Sequence, residues 1–250
     1  LPFVDDIKPD LPLASPHWSG IQFVDSMSTE NRVAYADIGY AQSDQGAIGI
    51  IRSQALIDHC TFMGTHLRMI YADSSSVVVQ YCTFPDMFAP TEFADALGLD
   101  NISEHIKGIG RFPADGHFII QNNVFGTNKG HNDVIDVDSG IRPAPILQVL
   151  NNQFSGSGDE LLDLGGDVYI AGNVFFNVSK DDETSDRGYA NAISTGDAVN
   201  RATIVASQNL FWDVDHAISS EMSPRSLSTT RFIKCMAILM TASTTRMSGR

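Results

Sequence analysis

The sequence predicts an all-β solenoid in which each coil contributes three short strands. One phrase recurs along the chain: β-favouring residues, a small or polar pair, one variable residue and then Phe. The phrase lacks the helical spacing of apolar residues, and its β-branched side chains favour strands. The six copies are ALIDHCTF (55–62), VVVQYCTF (77–84), FIIQNNVF (118–125), LQVLNNQF (147–154), VYIAGNVF (168–175) and IVASQNLF (204–211).

The spacing of these copies sets the length of a coil. Successive Phe residues are separated by 22, 41, 29, 21 and 36 residues. A period of about 21–22 residues with insertions in some turns accounts for these gaps. We expect the gap of 41 to hold two coils, and we interpret VAYADIGY (33–40) as a weaker, earlier copy in which Ile38 takes the Phe position.

Stacked coils bring equivalent residues into ladders along the solenoid axis, about 4.8 Å apart. The predicted ladders are Phe62, Phe84, Phe125, Phe154, Phe175 and Phe211, and, two positions earlier, Cys60, Cys82, Asn123, Asn152, Asn173 and Asn209. A buried Asn column suits a tight turn, because the side-chain amide can bond backbone groups that the turn leaves unpaired. We interpret both ladders as architectural. Cys60 and Cys82 are predicted to fill space inside the coil, within disulfide range of each other.

These residues resemble the right-handed parallel β-helix proteins of the pectate-lyase-like superfamily, over about residues 17–220. LIDHCTF at 56–62 is similar to the Ile-Asp-His segment of pectate lyases, whereas the Asp-Asp, Gly-His-Gly and Arg-x-Lys set of polygalacturonases is absent. The resemblance implies a right-handed single-stranded parallel β-helix of coils with inserted turns. It also implies a carbohydrate-active protein, since the group contains pectate, chondroitin and alginate lyases, polygalacturonases and mannuronan epimerases.

Composition limits the partners. The chain has 250 residues, 43% of them hydrophobic, and a net charge of −14. Sixteen Lys and Arg against thirty Asp and Glu argue against nucleic acid or an anionic membrane as the partner, because such binding needs clustered cations. The longest apolar runs, such as CMAILM at 235–240, are too short to span a bilayer. The first residues lack the charged and then apolar pattern of a signal peptide, and we expect a mature protein that is secreted or held at the cell surface.

The two ends differ from the middle. Residues 1–18, with four prolines, are predicted to be an extended lead-in or an N-terminal cap, and 19–222 the β-helix domain. The phrase then stops, and residues 224–250 hold five Lys and Arg but no Asp or Glu. We interpret 223–250 as an atypical tail, either foreign to a truncated solenoid or a makeshift cap. An uncovered solenoid end would favour a homodimer.

A second strand between the Phe residues carries the acidic side chains. Its copies are HNDVIDVD (131–138), GDELLDLG (158–165), YANAISTG (189–196) and VDHAISSE (214–221). Strand alternation predicts one outward column of Asp136, Asp163, Ser194 and Ser219. A second column holds Asp133, Glu160, Asn191 and His216. Stacked carboxylates repel unless a cation, a shared proton or water relieves them.

The acidic columns predict a calcium site, because Ca²⁺ prefers hard oxygen ligands. Its candidate ligands are Asp133, Asp136, Asp159, Glu160 and Asp163. A hydrated acidic face, or Asp side chains that cap turns, is the competing interpretation.

Cations are scarce, so their positions are informative. Six of them, namely Lys107, Arg111, Lys129, Arg142, Lys180 and Arg187, are predicted to lie in inserted turns beside the acidic strands. Cleavage of a uronate by β-elimination needs a base and a cation. Lys129, His131 and Arg187 are the candidates for these roles, and Asp136 and Asp163 are catalytic candidates as paired acids.

The insert VSKDDETSDRGYAN (178–191) is predicted to form one wall of a sugar-binding groove. Tyr189 would pack against the apolar face of a pyranose, and Asn191, Lys180 and Arg142 are further candidate substrate contacts.

Three functions remain open. The first is a secreted enzyme that cleaves an acidic polysaccharide by calcium-assisted β-elimination. The second is a glycoside hydrolase, such as an endo-acting glucanase, that uses two of the same carboxylates at about 5–5.5 Å for a retaining mechanism. The third is a carbohydrate-binding β-helix without catalysis.

Overall fold

The computed structural model describes residues 18–41, 43–65, 67–88, 103–130, 132–180, 189–196 and 202–220, together with 231–232 and 238–239. The described chain forms an all-β parallel solenoid with three sheets that run along its length. Each coil contributes one strand to each sheet in turn, and all neighbouring strands pair in parallel. The all-β parallel β-helix predicted from the repeat is thereby confirmed.

Strands are numbered along the chain. The sheet that carries the acidic strands, called the acidic sheet, consists of β1 (Ile21–Val24), β4 (Ile48–Ile51), β7 (Ile70–Asp73), β11 (Ile106–Ile109), β14 (Ile135–Val137), β17 (Glu160–Leu164), β20 (Asn191–Thr195) and β23 (Ser219–Ser220). The middle sheet consists of β2 (Arg32–Ala34), β5 (Gln54–Asp58), β8 (Ser76–Gln80), β12 (Phe118–Gln121), β15 (Leu147–Leu150), β18 (Val168–Ala171), β21 (Ile204–Ser207) and β24 (Arg231–Phe232).

The Phe sheet follows the middle sheet in each coil. It consists of β3 (Asp37–Gly39), β6 (Thr61–Met63), β9 (Thr83–Phe84), β10 (Met87–Phe88), β13 (Val124–Lys129), β16 (Gln153–Ser157), β19 (Val174–Val178), β22 (Leu210–Val214) and β25 (Ile238–Leu239). In the atypical tail the structure describes only β24 and β25, which pair with β21 and β22.

The register confirms the repeat and corrects one gap. Ile38 pairs with Phe62, as the weaker early copy predicts. Phe84 pairs directly with Phe125, so the gap of 41 residues is a single coil with a long insertion, and the prediction of two coils was wrong. The spacing alone could not separate these cases, because 41 is close to twice the basic period.

The Phe ladder forms the centre of the core. All six rings are buried and stack face to face, with successive centroids 4.5–5.0 Å apart. That separation is close to the spacing of strands in a sheet, so each ring contacts its equivalents above and below. The predicted Phe ladder is confirmed.

The Asn ladder lies where each chain turns from the middle sheet into the Phe sheet. The residue before each ladder position has a positive φ, +54° at Asn151 for example, which places this corner in the left-handed region. Asn152 Oδ1 accepts from the backbone N–H of Asn123 at 2.9 Å, and its Nδ2 donates to Ile120 O at 3.0 Å. Each amide therefore pairs donors and acceptors that the sharp corner leaves unpaired, which confirms the architectural prediction.

Cys60 and Cys82 continue the same ladder in the first coils. Both are buried free thiols, and Cys60 N–H donates to Cys82 Sγ at 3.4 Å. Cys82 Sγ thus takes the acceptor role that Asn Oδ1 has in later coils.

Candidate functional site

Two columns of side chains run along the side of the acidic sheet away from the Phe core. At β14 of the acidic sheet, for example, the consecutive residues Val134 and Ile135 are both buried. The residues on either side of this pair, Asp133 and Asp136, therefore lie on the outer side of the sheet. The entrance column contains Arg68, Glu104, Asp133, Glu160, Asn191 and His216. The central column contains Tyr71, Lys107, Asp136, Asp163, Ser194 and Ser219. The predicted register of the acidic residues is therefore confirmed.

Cations neutralise the columns in the first coils. Arg68 Nε bonds Glu104 Oε2 at 2.7 Å. Lys107 Nζ bonds the Asp136 carboxylate and also lies 3.2 Å from Asp138 Oδ2. Burial alone would lower the pKa of Lys107, but the charges of Asp136 and Asp138 raise it above its usual value. Lys107 is thus a built-in counter-ion of the central column.

The acidic cluster, which comprises Asp133, Asp159 and Glu160, lies one coil further along. One carboxylate oxygen from each lies within 4.8 Å of the others. Burial, followed by the charges of Asp163 and Glu160, raises the pKa of Asp133 well above its usual value. Burial and the neighbouring Asp159 also raise the pKa of Glu160 to about 8. Asp133 Oδ1 is buried and has no hydrogen-bond partner among the described residues.

A line of hydrogen bonds extends from the acidic cluster to the surface. Asn191 Nδ2 donates to Glu160 Oε1 at 3.0 Å, and Asn191 Oδ1 lies 3.1 Å from His216 Nδ1. The His216 ring contacts Tyr189, with centroids 4.6 Å apart, and Tyr189 is 62% exposed. Of the predicted substrate contacts, Asn191 bonds a carboxylate of the cluster directly, and Tyr189 is connected to it through His216.

The acidic cluster fits a hard cation. Its donors are carboxylate oxygens, which Ca²⁺ prefers, and the unpartnered Asp133 oxygen leaves one acceptor available to a ligand. The other two predicted ligands, Asp136 and Asp163, lie in the central column and outside the cluster. Lys107 binds the Asp136 carboxylate. If these three side chains held a calcium ion, several of its coordination positions would remain for water or for a substrate.

A cleft of about 500 Å³ opens at the other end of the same strands. Two stacked turns, 110–114 and 138–144, form its walls. Arg142, a predicted substrate contact, lines it, and its guanidinium lies 3.1 Å from Asp167 Oδ2. Asp138 connects the cleft to the central column through Lys107.

The predicted cations do not all come together. Lys107 lies within β11, so its placement in an inserted turn was wrong. Lys129 is the last residue of β13, half-buried and four residues before Asp133, so it also lies in a strand and not in a turn. The backbone N–H of Lys180 donates to Asp215 at 3.0 Å. His131 and Arg187 lie outside the described residues.

Sequence reasoning missed Arg68 and Glu104 and gave Lys107 no role at the acidic strands. The signal was present, because Glu104 and Lys107 are three residues apart, as are Asp133 and Asp136. The long insertion in that coil interrupted the alignment of copies. The sequence identified Arg111 only as a cation in a turn beside the acidic strands, and the structure places it in the wall of the cleft.

Comparison of the chain with models of protein families, with curated proteins and with solved structures gave no match. Within the described ranges, no helix has the length and apolar character needed to cross a membrane.

Proposed function

We propose that this chain cleaves an acidic polysaccharide by calcium-assisted β-elimination. The observation that carries the proposal is the acidic cluster, in which a buried Asp133 oxygen has no partner and two carboxyl groups have raised pKa values. Such a cluster is stabilised by a divalent cation. The exposed Tyr189 ring, which is connected to the cluster through His216 and Asn191, offers a surface for a sugar. The pectate-lyase-like resemblance, at the level of a parallel β-helix, supports the same class of substrate.

Each residue of the site has a role in this scheme. Asp133, Asp159 and Glu160 would hold the calcium ion, whose positive charge neutralises a uronate carboxylate. Lys129, the last residue of β13 and four residues before Asp133, would take the proton beside the carboxyl group. The electron pair of that C–H bond would then form a carbon–carbon double bond as the glycosidic C–O bond breaks, and the leaving oxygen would take a proton from water. Asn191 orients Glu160 through its hydrogen bond.

Mass spectrometry of soluble products tests this proposal. The chain is incubated with pectate, alginate, chondroitin, xylan and carboxymethyl-cellulose. We expect oligosaccharides with an unsaturated end, one water lighter than hydrolytic products, from one of the acidic polymers. Chelation of calcium should abolish the product, and Lys129→Ala should lower kcat at least 100-fold, in the range typical of a lost general base.

Arg52→Ala is the matched control, because Arg52 is an exposed cation that pairs with the exposed Asp25 away from the acidic cluster. This variant should retain wild-type turnover. Full activity of both the chelated protein and Lys129→Ala would contradict the proposal.

A glycoside hydrolase is the second candidate, and the pKa of about 8 at Glu160 favours it. A carboxyl group that stays protonated near neutral pH can act as a general acid toward a leaving sugar. This mechanism predicts fully hydrated products. It also predicts loss of turnover without loss of folding in Glu160→Gln, which removes the acid, and in Asp136→Asn and Asp163→Asn, which remove the candidate partner carboxylates. Unsaturated products would exclude it.

A further inference from the structure

The turns 110–114 and 138–144, which form the walls of the cleft, contact each other and the core. Ser139 Oγ donates to Gly110 O across the two turns. Phe112 is buried against Phe118, with ring centroids 5.0 Å apart. Gly140 has a φ of +96°, in the region that favours glycine. Contacts within the chain therefore hold the two walls to each other and to the core.

Among the described residues, the cleft contains two paired charges and one cation without an ion-pair partner. Asp138 pairs with Lys107, and Arg142 pairs with Asp167. Arg111 is exposed and bonds only through its backbone N–H, to Ser74 Oγ at 3.4 Å. No ion pair joins its guanidinium to any residue that the structure describes. In a chain with a net charge of −14, an exposed guanidinium without an ion-pair partner in the described ranges favours an anionic ligand.

Size and lining indicate the kind of ligand. A volume of about 500 Å³ lies within the usual range for small-molecule sites and exceeds what a bare ion needs. Ile141 and Pro143 provide exposed apolar surface in the same cleft as Arg111. An acidic sugar combines these features, because its ring has apolar C–H faces and its carboxylate can bind a guanidinium through two hydrogen bonds.

The cleft and the acidic cluster lie at opposite ends of the same strands. Asp133 and Asp138 are five residues apart along an extended segment, about 16 Å at roughly 3.3 Å per residue. Lys107 and Asp136 lie between them in the central column. A glycan that contacted both places would cross the sheet along the strands and not along the solenoid axis.

We propose that this cleft holds one carboxylate-bearing sugar residue, with Arg111 as its ion-pairing group, so that Arg111 selects acidic over neutral glycans. The proposal rests on the proposed function, because it places part of the same substrate. Arg111 is a specificity-determining residue in this scheme and takes no part in bond breaking.

Isothermal titration calorimetry of the full chain in EDTA tests the cleft without cleavage. The probes are trimers of galacturonate, guluronate and glucuronate, and the same trimers with every carboxyl group reduced to a hydroxymethyl group. We expect at least one acidic trimer to bind the wild type. Arg111→Ala should weaken that binding at least tenfold and Arg111→Lys less, because lysine keeps the charge but loses the bidentate geometry. The reduced trimers should not respond to either substitution.

Arg52→Ala removes the same charge from a similar exposed turn and should bind the acidic trimer like the wild type. Wild-type affinity in Arg111→Ala, equal losses for acidic and reduced trimers, or no binding of any acidic trimer would each overturn the proposal. Arg111-dependent binding without any cleavage product would refute the lyase reaction but support the proposed sugar site in the cleft. If Arg111→Ala formed unsaturated products with an unchanged KM, the lyase reaction would be supported and the role of Arg111 in the cleft refuted.

Discussion

The solenoid contains two polar ladders that have opposite chemistry. In the Asn ladder, Asn123, Asn152 and Asn173 each accept a backbone N–H and donate to a backbone carbonyl. In the acidic sheet, the same stacking places Asp133 beside Glu160, where like charges meet and a buried oxygen lacks a partner among the described residues. An amide supplies both a donor and an acceptor, whereas a carboxylate only accepts. The Asn ladder therefore satisfies its hydrogen bonds with groups of the chain itself, whereas the acidic ladder requires a proton or a cation.

Phe154→Ala should have the largest effect on the architectural side of this comparison. The ring is fully buried between Phe125 and Phe175, so its removal leaves a cavity in the middle of the stack. We expect the free energy of unfolding to fall by about 4 kcal/mol, measured by urea denaturation. Val124→Ala, on the exposed side of the neighbouring strand, should change it by less than about 0.5 kcal/mol. Equal effects of the two substitutions would show that the Phe stack is not the core.

Asn152→Leu should interrupt the complete ladder. The substitution leaves the backbone N–H of Asn123 and the carbonyl of Ile120 without their partner in a buried corner. We expect a loss of about 3 kcal/mol in the free energy of unfolding. Gln153→Ala, an exposed neighbour, serves as the control and should be close to neutral. A neutral Asn152→Leu would mean that the amides do not hold the turns together.

The acidic cluster should make stability depend on pH in the opposite sense to an ordinary ion pair. Glu160 has a folded pKa of about 8, above its unfolded value, so the folded chain keeps a proton that the unfolded chain has lost. Stability in EDTA should therefore fall by about 1 kcal/mol as pH rises from 6.5 to 8. His105, whose pKa is lowered by burial to about 4, opposes this slope, because its imidazole is neutral in the folded chain but about half protonated at pH 6.5 in the unfolded chain. Its contribution of about 0.4 kcal/mol is smaller than that of Glu160.

Melting temperatures at several pH values measure this slope. The double variant Asp133→Asn, Glu160→Gln should show a flatter profile than the wild type. A wild-type melting temperature that rises over the same range in EDTA would contradict the raised pKa.

Cys82→Asn should have the smallest effect on the free energy of unfolding. The substitution extends the Asn ladder by one coil. The amide oxygen replaces a sulfur atom that accepts from Cys60 N–H at 3.4 Å, and sulfur is a weak acceptor. We expect a gain of about 0.5 kcal/mol in the free energy of unfolding. Cys82→Ala, which removes the acceptor, should be destabilising, and the reverse order of the two variants would contradict this role.

Residues that repeat could be predicted from the sequence, whereas contacts across insertions could not. The Phe and Asn ladders followed from a phrase with six copies, because stacking repeats every position at the strand spacing. The register of Asp136 with Asp163 followed from the same periodicity. The pairing of Lys107 with Asp136 did not, because a coil of irregular length separates Lys107 from the earlier copies. The cleft at Arg111 depends on two turns outside the repeated phrase.

Calcium binding by the acidic cluster most directly tests the difference between the two ladders. Isothermal titration calorimetry should show one Ca²⁺ bound to the wild type, at least tenfold weaker binding to Glu160→Gln, and unchanged binding to Asp37→Asn, which removes an exposed carboxylate in the Phe sheet. Calcium should also raise the melting temperature of the wild type at pH 8. The absence of binding, or equal affinity in Glu160→Gln and the wild type, would contradict a cation that completes the acidic ladder.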